Sequence, residues 1–94
     1  IDAAGKIVMP GLINSHTHLC MVFGRTIGPE RRLLEWLELL MPIMAAMDGE
    51  ALYIAELLGC VENIKSGNTS LVENIFMPPH AASDPEDAAF RALR

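Results

Sequence analysis

Two short strand-like runs stand far apart in this chain, and what separates them restricts the fold more than any other feature. "LINSH", Leu12 to His16, follows a Pro10-Gly11 turn, and "TSLVENIF", Thr69 to Phe76, is rich in β-branched and apolar residues. The stretch between them carries helical patterning. A tight hairpin cannot join runs this distant, whereas a long helical crossover implies parallel strands and a right-handed connection. The expected class is therefore α/β, built on a βαβ unit.

The helical patterning divides in two. Pro29 suits a first helical position, where its missing N–H costs nothing, and Glu30 favours a helix start. "ERRLLEWLELLM" then places Leu33, Leu37 and Leu40 on one face. Pro42 is expected to break that helix. Asp48 is a good N-cap for the next one, in which Ile54, Leu57, Leu58, Val61 and Ile64 recur at helical spacing. Lys65 and Gly67 mark its end. Leu19 to Gly28 reads as a loop. "IDAAGKIVMPG" reads as two extended pieces around a turn at Asp2 to Gly5. After "MPPHAASD", Ser83 or Asp84 caps a last helix with Pro85 at its first position.

Composition excludes several functions. The chain has 94 residues, of which 51% are hydrophobic and 20% charged, as in one small globular domain. Its net charge is −5 with no basic stripe, which argues against a nucleic-acid partner. The longest nearly apolar run, Leu39 to Met47, contains a proline and is too short to span a bilayer. Cys20 and Cys60 form no C-x-x-C pair and suggest no disulfide scaffold, so a reducing, cytoplasmic setting is expected. The methionines between Met21 and Met47 read as core filler. The chain opens without an initiator methionine and stops at Arg94 within a helical pattern, so it is expected to be a piece of a longer protein.

The candidate chemistry lies at the end of the first run. Residues two apart on a strand point to the same side, so Leu12, Asn14, His16 and His18 are expected to share one face. His16 and His18 then aim two imidazoles together at the strand's C-terminal end, where ligands bind in open α/β sheets and α/β barrels. Neutral imidazole is a common ligand for divalent transition metals, and two on one edge make half a site.

The wider string "GKIVMPGLINSHTHL" closely resembles the entry to the barrel in the amidohydrolase superfamily of metal-dependent hydrolases. Gly5, Val8, Pro10, Gly11, Leu12, Ile13, Asn14, His16 and His18 fill that pattern. Asn14 matches the branch containing cytosine and guanine deaminases, adenosine-type deaminases and chloro-triazine hydrolases. Leu19, Met21, Arg25, Trp36-Leu37 and "SGNTSLVEN" are similar to that branch as well.

The resemblance implies the first βαβ unit of a TIM (β/α)8 barrel over residues 11–94, with residues 1–10 as the tail of a small β-sandwich-like domain. It implies His16 and His18 as ligands of a divalent ion, zinc first and iron second. Activated water would attack a heterocycle such as a pyrimidine, purine or triazine, releasing ammonia. The remaining ligands and the proton-handling Asp and His lie outside this segment, so no catalytic acid or base is expected within it. Hydrolytic dechlorination, or amide or cyclic-ureide hydrolysis on the same scaffold, is the rival chemistry. A non-catalytic piece that only associates with other chains is the rival from another class. The expected partners are a small-molecule substrate and, for the full-length protein, further copies of itself.

Trp36 is a candidate to stack on the substrate, with a core anchor as its competing role. Glu73 and Asn74 end the second strand, and alternation turns only one of them inward, where it could touch substrate. Cys20 reads as a packed small residue rather than a ligand. Arg25 reads as an exposed loop arginine, and His80 as a solvated loop histidine. With two strands only, the segment is expected to leave apolar surface exposed or covered by other polypeptide.

Overall fold

The computed structural model describes residues 1–76 and 91–93. Strand β1, Leu12–Thr17, is followed by a 3₁₀ helix over Leu19–Gly24, helix α1 over Leu33–Ala46, helix α2 over Gly49–Lys65 and strand β2 over Asn68–Glu73. β1 and β2 pair in parallel, as the long helical connection requires. The result is a mixed α/β unit: one parallel strand pair with its helices.

The register is not uniform. Asn14 pairs with Leu71 and Thr17 with Glu73, so β1 advances one residue more than β2 over that step. Such a bulge interrupts strict alternation. It corrects the expectation that Asn14 shares one row with His16 and His18. Asn14 instead turns to α2, where its Nδ2 donates to Asn63 Oδ1 at 3.0 Å.

The helices depart from expectation in two places. α1 starts at Leu33, not at Pro29, after a turn in which Arg31 N–H donates to the Gly28 carbonyl at 3.0 Å. Gly28 has φ 56°, which opens a turn through the residues where the helix is expected to begin. Pro42 does not break α1, which continues to Ala46. A proline inside a helix removes one N–H bond, and packing of Leu40 and Met44 on either side outweighs that loss here. The break comes at Met47 and Asp48. Asp48 caps α2 as expected, its carboxylate accepting from Ala51 N–H at 2.8 Å. Gly67 follows α2 at φ 88°, donates to the Ile64 carbonyl, and offers its own carbonyl to Leu12 N–H at 2.9 Å. The helix end thus fixes where β1 begins. The segment read as a loop after His18 contains the 3₁₀ turn.

The core is small. Cys20, Leu40, Met44, Met47, Leu52 and Ala55 are buried, with Met21, Val22, Trp36, Leu37, Met41 and Tyr53 packed against them. The methionines fill this core as expected. α2 meets the 3₁₀ helix through Leu52, Ala55, Glu56 and Gly59. At Gly59 a Cβ would lie 2.8 Å from Leu19 Cδ2, so glycine permits the close approach. The other stripe of α2 lies open: Ile54, Leu57, Leu58, Val61 and Ile64 are exposed, the last at 70%. A helix apolar on both sides is one that neighbouring structure covers on both sides. Leu33, Leu34, Leu12 and Ile13 are exposed too, as expected for a unit with two strands.

Residues 1–11 form no strand; Asp2 and Gly5 bracket a turn in which Lys6 N–H donates to the Ala3 carbonyl. No helix among the described residues is long and apolar enough to cross a membrane. His80, Ser83, Asp84 and Pro85 lie outside the described residues.

Candidate metal and substrate site

His16 and His18 come together as the sequence spacing requires. Their ring centroids are 5.0 Å apart and nearly perpendicular, at 85°. His16 is exposed and His18 half-buried at the C-terminal end of β1. His18 Nδ1 meets the carbonyl oxygen of Asn74, just past β2. A carbonyl only accepts, so the proton sits on Nδ1 and the lone pair is left on Nε2. Metal-binding histidines are commonly oriented in this way. Two imidazoles, one held by a main-chain carbonyl and the other open to solvent, fit half of a transition-metal site.

Glu73 and Asn74 take different roles. Asn74 supports the strand ends: its N–H donates to the Thr17 carbonyl at 2.8 Å, and its own carbonyl holds His18. Glu73 turns toward the 3₁₀ helix, where one carboxylate oxygen accepts from Leu19 N–H at 2.9 Å. Trp36 sits half-buried on α1 against the core cluster. Arg25 forms a two-pronged pair with Glu62, at 2.7 and 2.6 Å, on the surface.

A second group of donors was not legible in the sequence. Cys20 Sγ and one carboxylate oxygen from each of Glu56 and Glu73 lie within 4.8 Å of one another. Glu56 is fully buried, and neither of its carboxylate oxygens has a hydrogen-bond partner among the described residues. Glu73 Oε1 lacks one too. Burial, then the adjacent Glu73 carboxylate, pushes Glu56 up to about 7. The Cys20 amide lies near enough to favour the anion but makes no hydrogen bond of ordinary geometry with it. Burial pushes the Cys20 thiol up to about 11. It also raises Glu73, against the Leu19 N–H and the nearby His18 and His16. In the sequence Glu56 falls among polar positions of an amphipathic helix. Its place in a stripe with Leu52, Ala55 and Gly59, at i, i+3, i+4 and i+7 counted from Leu52, was the available signal for a buried position.

Comparison with known proteins gives the family. Residues 7–93 match the model of the Amidohydrolase family. A 5'-deoxyadenosine deaminase of Methanothermobacter thermautotrophicus is 40% identical over 94 residues, 99% of this chain and 22% of that protein. One from Methanosarcina mazei is 41% identical over 93 residues, 98% of this chain and 22% of that protein. A 5-methylthioadenosine/S-adenosylhomocysteine deaminase of Carboxydothermus hydrogenoformans is 37% identical over 94 residues, with the same 99% and 22% shares. The chain thus spans about a fifth of the length of the curated relatives it matches. No solved structure matches.

Proposed function

This chain belongs to the amidohydrolase family, and from that premise we propose that it opens the catalytic domain of a longer metal-dependent aminohydrolase. In this reading residues 11–94 are the first βαβ unit of a TIM barrel, and residues 1–10 are the tail of a small β-domain beside it. The substrate class is a purine nucleoside of adenosine type, altered at its 5' position, which loses its ring amino group as ammonia. The names of the relatives support that class. The observation that carries the reading is the pair of imidazoles at the end of β1 with His18 oriented by the Asn74 carbonyl.

His16 and His18 would hold a divalent ion, zinc first. Such an ion, when bound, lowers the pKa of its water to about 7 and so supplies a nucleophile at neutral pH. The chain's own residues prepare the place. The Asn74 carbonyl fixes the ring of His18 and its tautomer. Glu73 holds the Leu19 N–H and so anchors the turn that directly follows His18. Trp36 packs from α1 against the core, and in this reading any face it leaves open would stack on the heterocycle. Proton transfer to the departing amine belongs to residues on later strands. The longer protein is read as cytoplasmic and as an assembly of like subunits.

The test is deamination of 5'-deoxyadenosine by the full-length protein, followed by ammonia release. The His16→Ala, His18→Ala double variant should lose about one equivalent of divalent metal per chain and at least about 10³ in kcat/KM, since metal stabilisation is worth several kcal/mol. Equal metal content and turnover in the two proteins would defeat the reading.

A further inference from the structure

Beside the histidine pair lies a group of three side chains, of which the deaminase reading uses only Glu73, and that only through the oxygen that accepts from Leu19 N–H. Glu56 is completely buried in the middle of α2, and its carboxylate has no hydrogen-bond partner among the described residues. Buried polar groups are nearly always satisfied, and a buried carboxylate that no N–H or O–H donor reaches is satisfied by a cation or by a proton. Glu73 presents a second bare oxygen, because only its Oε2 is engaged by Leu19 N–H. Cys20, also completely buried, completes a triangle whose donor atoms lie within 4.8 Å of one another. Three elements supply these donors: the 3₁₀ helix, α2 and β2.

We propose that Cys20, Glu56 and Glu73 form a second divalent-cation site, separate in its donors from the His16–His18 pair. One sulfur and two carboxylate oxygens suit a borderline ion such as Zn²⁺ or Co²⁺. Hard ions such as Mg²⁺ prefer oxygen alone. Zinc binds thiolate at about 2.3 Å and carboxylate at about 2.0–2.2 Å, which brings ligand atoms within the spacing these three already have. Binding releases the Cys20 thiol proton, and any proton held between the two carboxylates, to solvent. The ion neutralises two of the three negative charges thus gathered. It also ties β2 and α2 to the turn after His18, so the site is structural in its effect. This inference is independent of the reaction the full-length protein performs.

Cobalt(II) added to the chelator-treated full-length protein tests it, because thiolate ligation produces a near-ultraviolet charge-transfer band that imidazole ligation does not. The band is expected in the unaltered protein, in the His16→Ala, His18→Ala variant and in Cys60→Ser. It should vanish in Cys20→Ser. In Glu56→Gln the cobalt affinity read from the band should fall by at least about 10–100-fold, the loss that follows when even an outer partner of a metal ligand is removed. Circular dichroism identifies any variant that has failed to fold. Absence of the band in the unaltered protein, or its survival in a folded Cys20→Ser, would overturn the proposal. The proton alone would then be what satisfies the buried carboxylates.

Discussion

Two groups of donor atoms flank the strand ends, and they differ in nearly every physical respect. His16 and His18 are two residues apart in sequence, partly open to solvent, and held in part by a main-chain carbonyl. Cys20, Glu56 and Glu73 come from three elements, gather only when the chain folds, and bury carboxylate oxygens without partners. The first group costs little to form, since neutral imidazoles tolerate both water and partial burial. The second carries a desolvation cost that something must offset. Motif spacing finds the first kind of site; unsatisfied burial finds the second.

The sharpest way to break this contrast is pH. With metal removed by chelator, Glu56 holds its proton in the folded protein up to about 7, against an ordinary value of 4.5. A carboxyl raised in this way favours the folded state on the acid side. Stability is full below about pH 4.5 and falls as pH climbs to about 7, by about 3 kcal/mol for this group. Urea unfolding at about pH 5 and about pH 8 should show that loss, and Glu56→Gln should remove most of it. Identical pH slopes in the two proteins would mean that Glu56 is no more stressed than the exposed carboxylates.

A smaller effect is expected at the contact that serves both groups. Gly59→Ala pushes a methyl to 2.8 Å from Leu19 Cδ2, and Leu19 lies between His18 and Cys20. The helix gains about 1 kcal/mol from replacing glycine, while overpacking costs about 1–3 kcal/mol, for a net loss near 1 kcal/mol. Cobalt binding should weaken at both groups. Weakening at one alone would show that the 3₁₀ helix does not couple them.

The smallest effect should come from Arg25→Ala. Its pair with Glu62 has short contacts, but both side chains are well exposed, and such pairs contribute little. The urea midpoint should shift less than in Gly59→Ala. A larger shift would mean that this exposed pair is as tightly organised as the buried contact at Gly59.

The parallel strand pair, the Asp48 cap, the Gly67 helix end and the pairing of the two imidazoles were all legible in the sequence. Each depends on residues a few positions apart, or on the length of the connection between strands. The start of α1 and its passage through Pro42 were not legible, because the positive φ of Gly28 and the packing of Leu40 and Met44 override local preference. The bulge that turns Asn14 to α2 was hidden as well, since register is a property of two strands together. Which way Glu73 and Asn74 face, and the burial of Glu56 beside Cys20, depended on how α2 seats on the 3₁₀ helix at Gly59. Sequence determined the local chemistry, because spacing along one strand sets the direction of neighbouring side chains. Only tertiary structure decided which distant carboxylates meet, because proximity across elements depends on packing that no local pattern encodes.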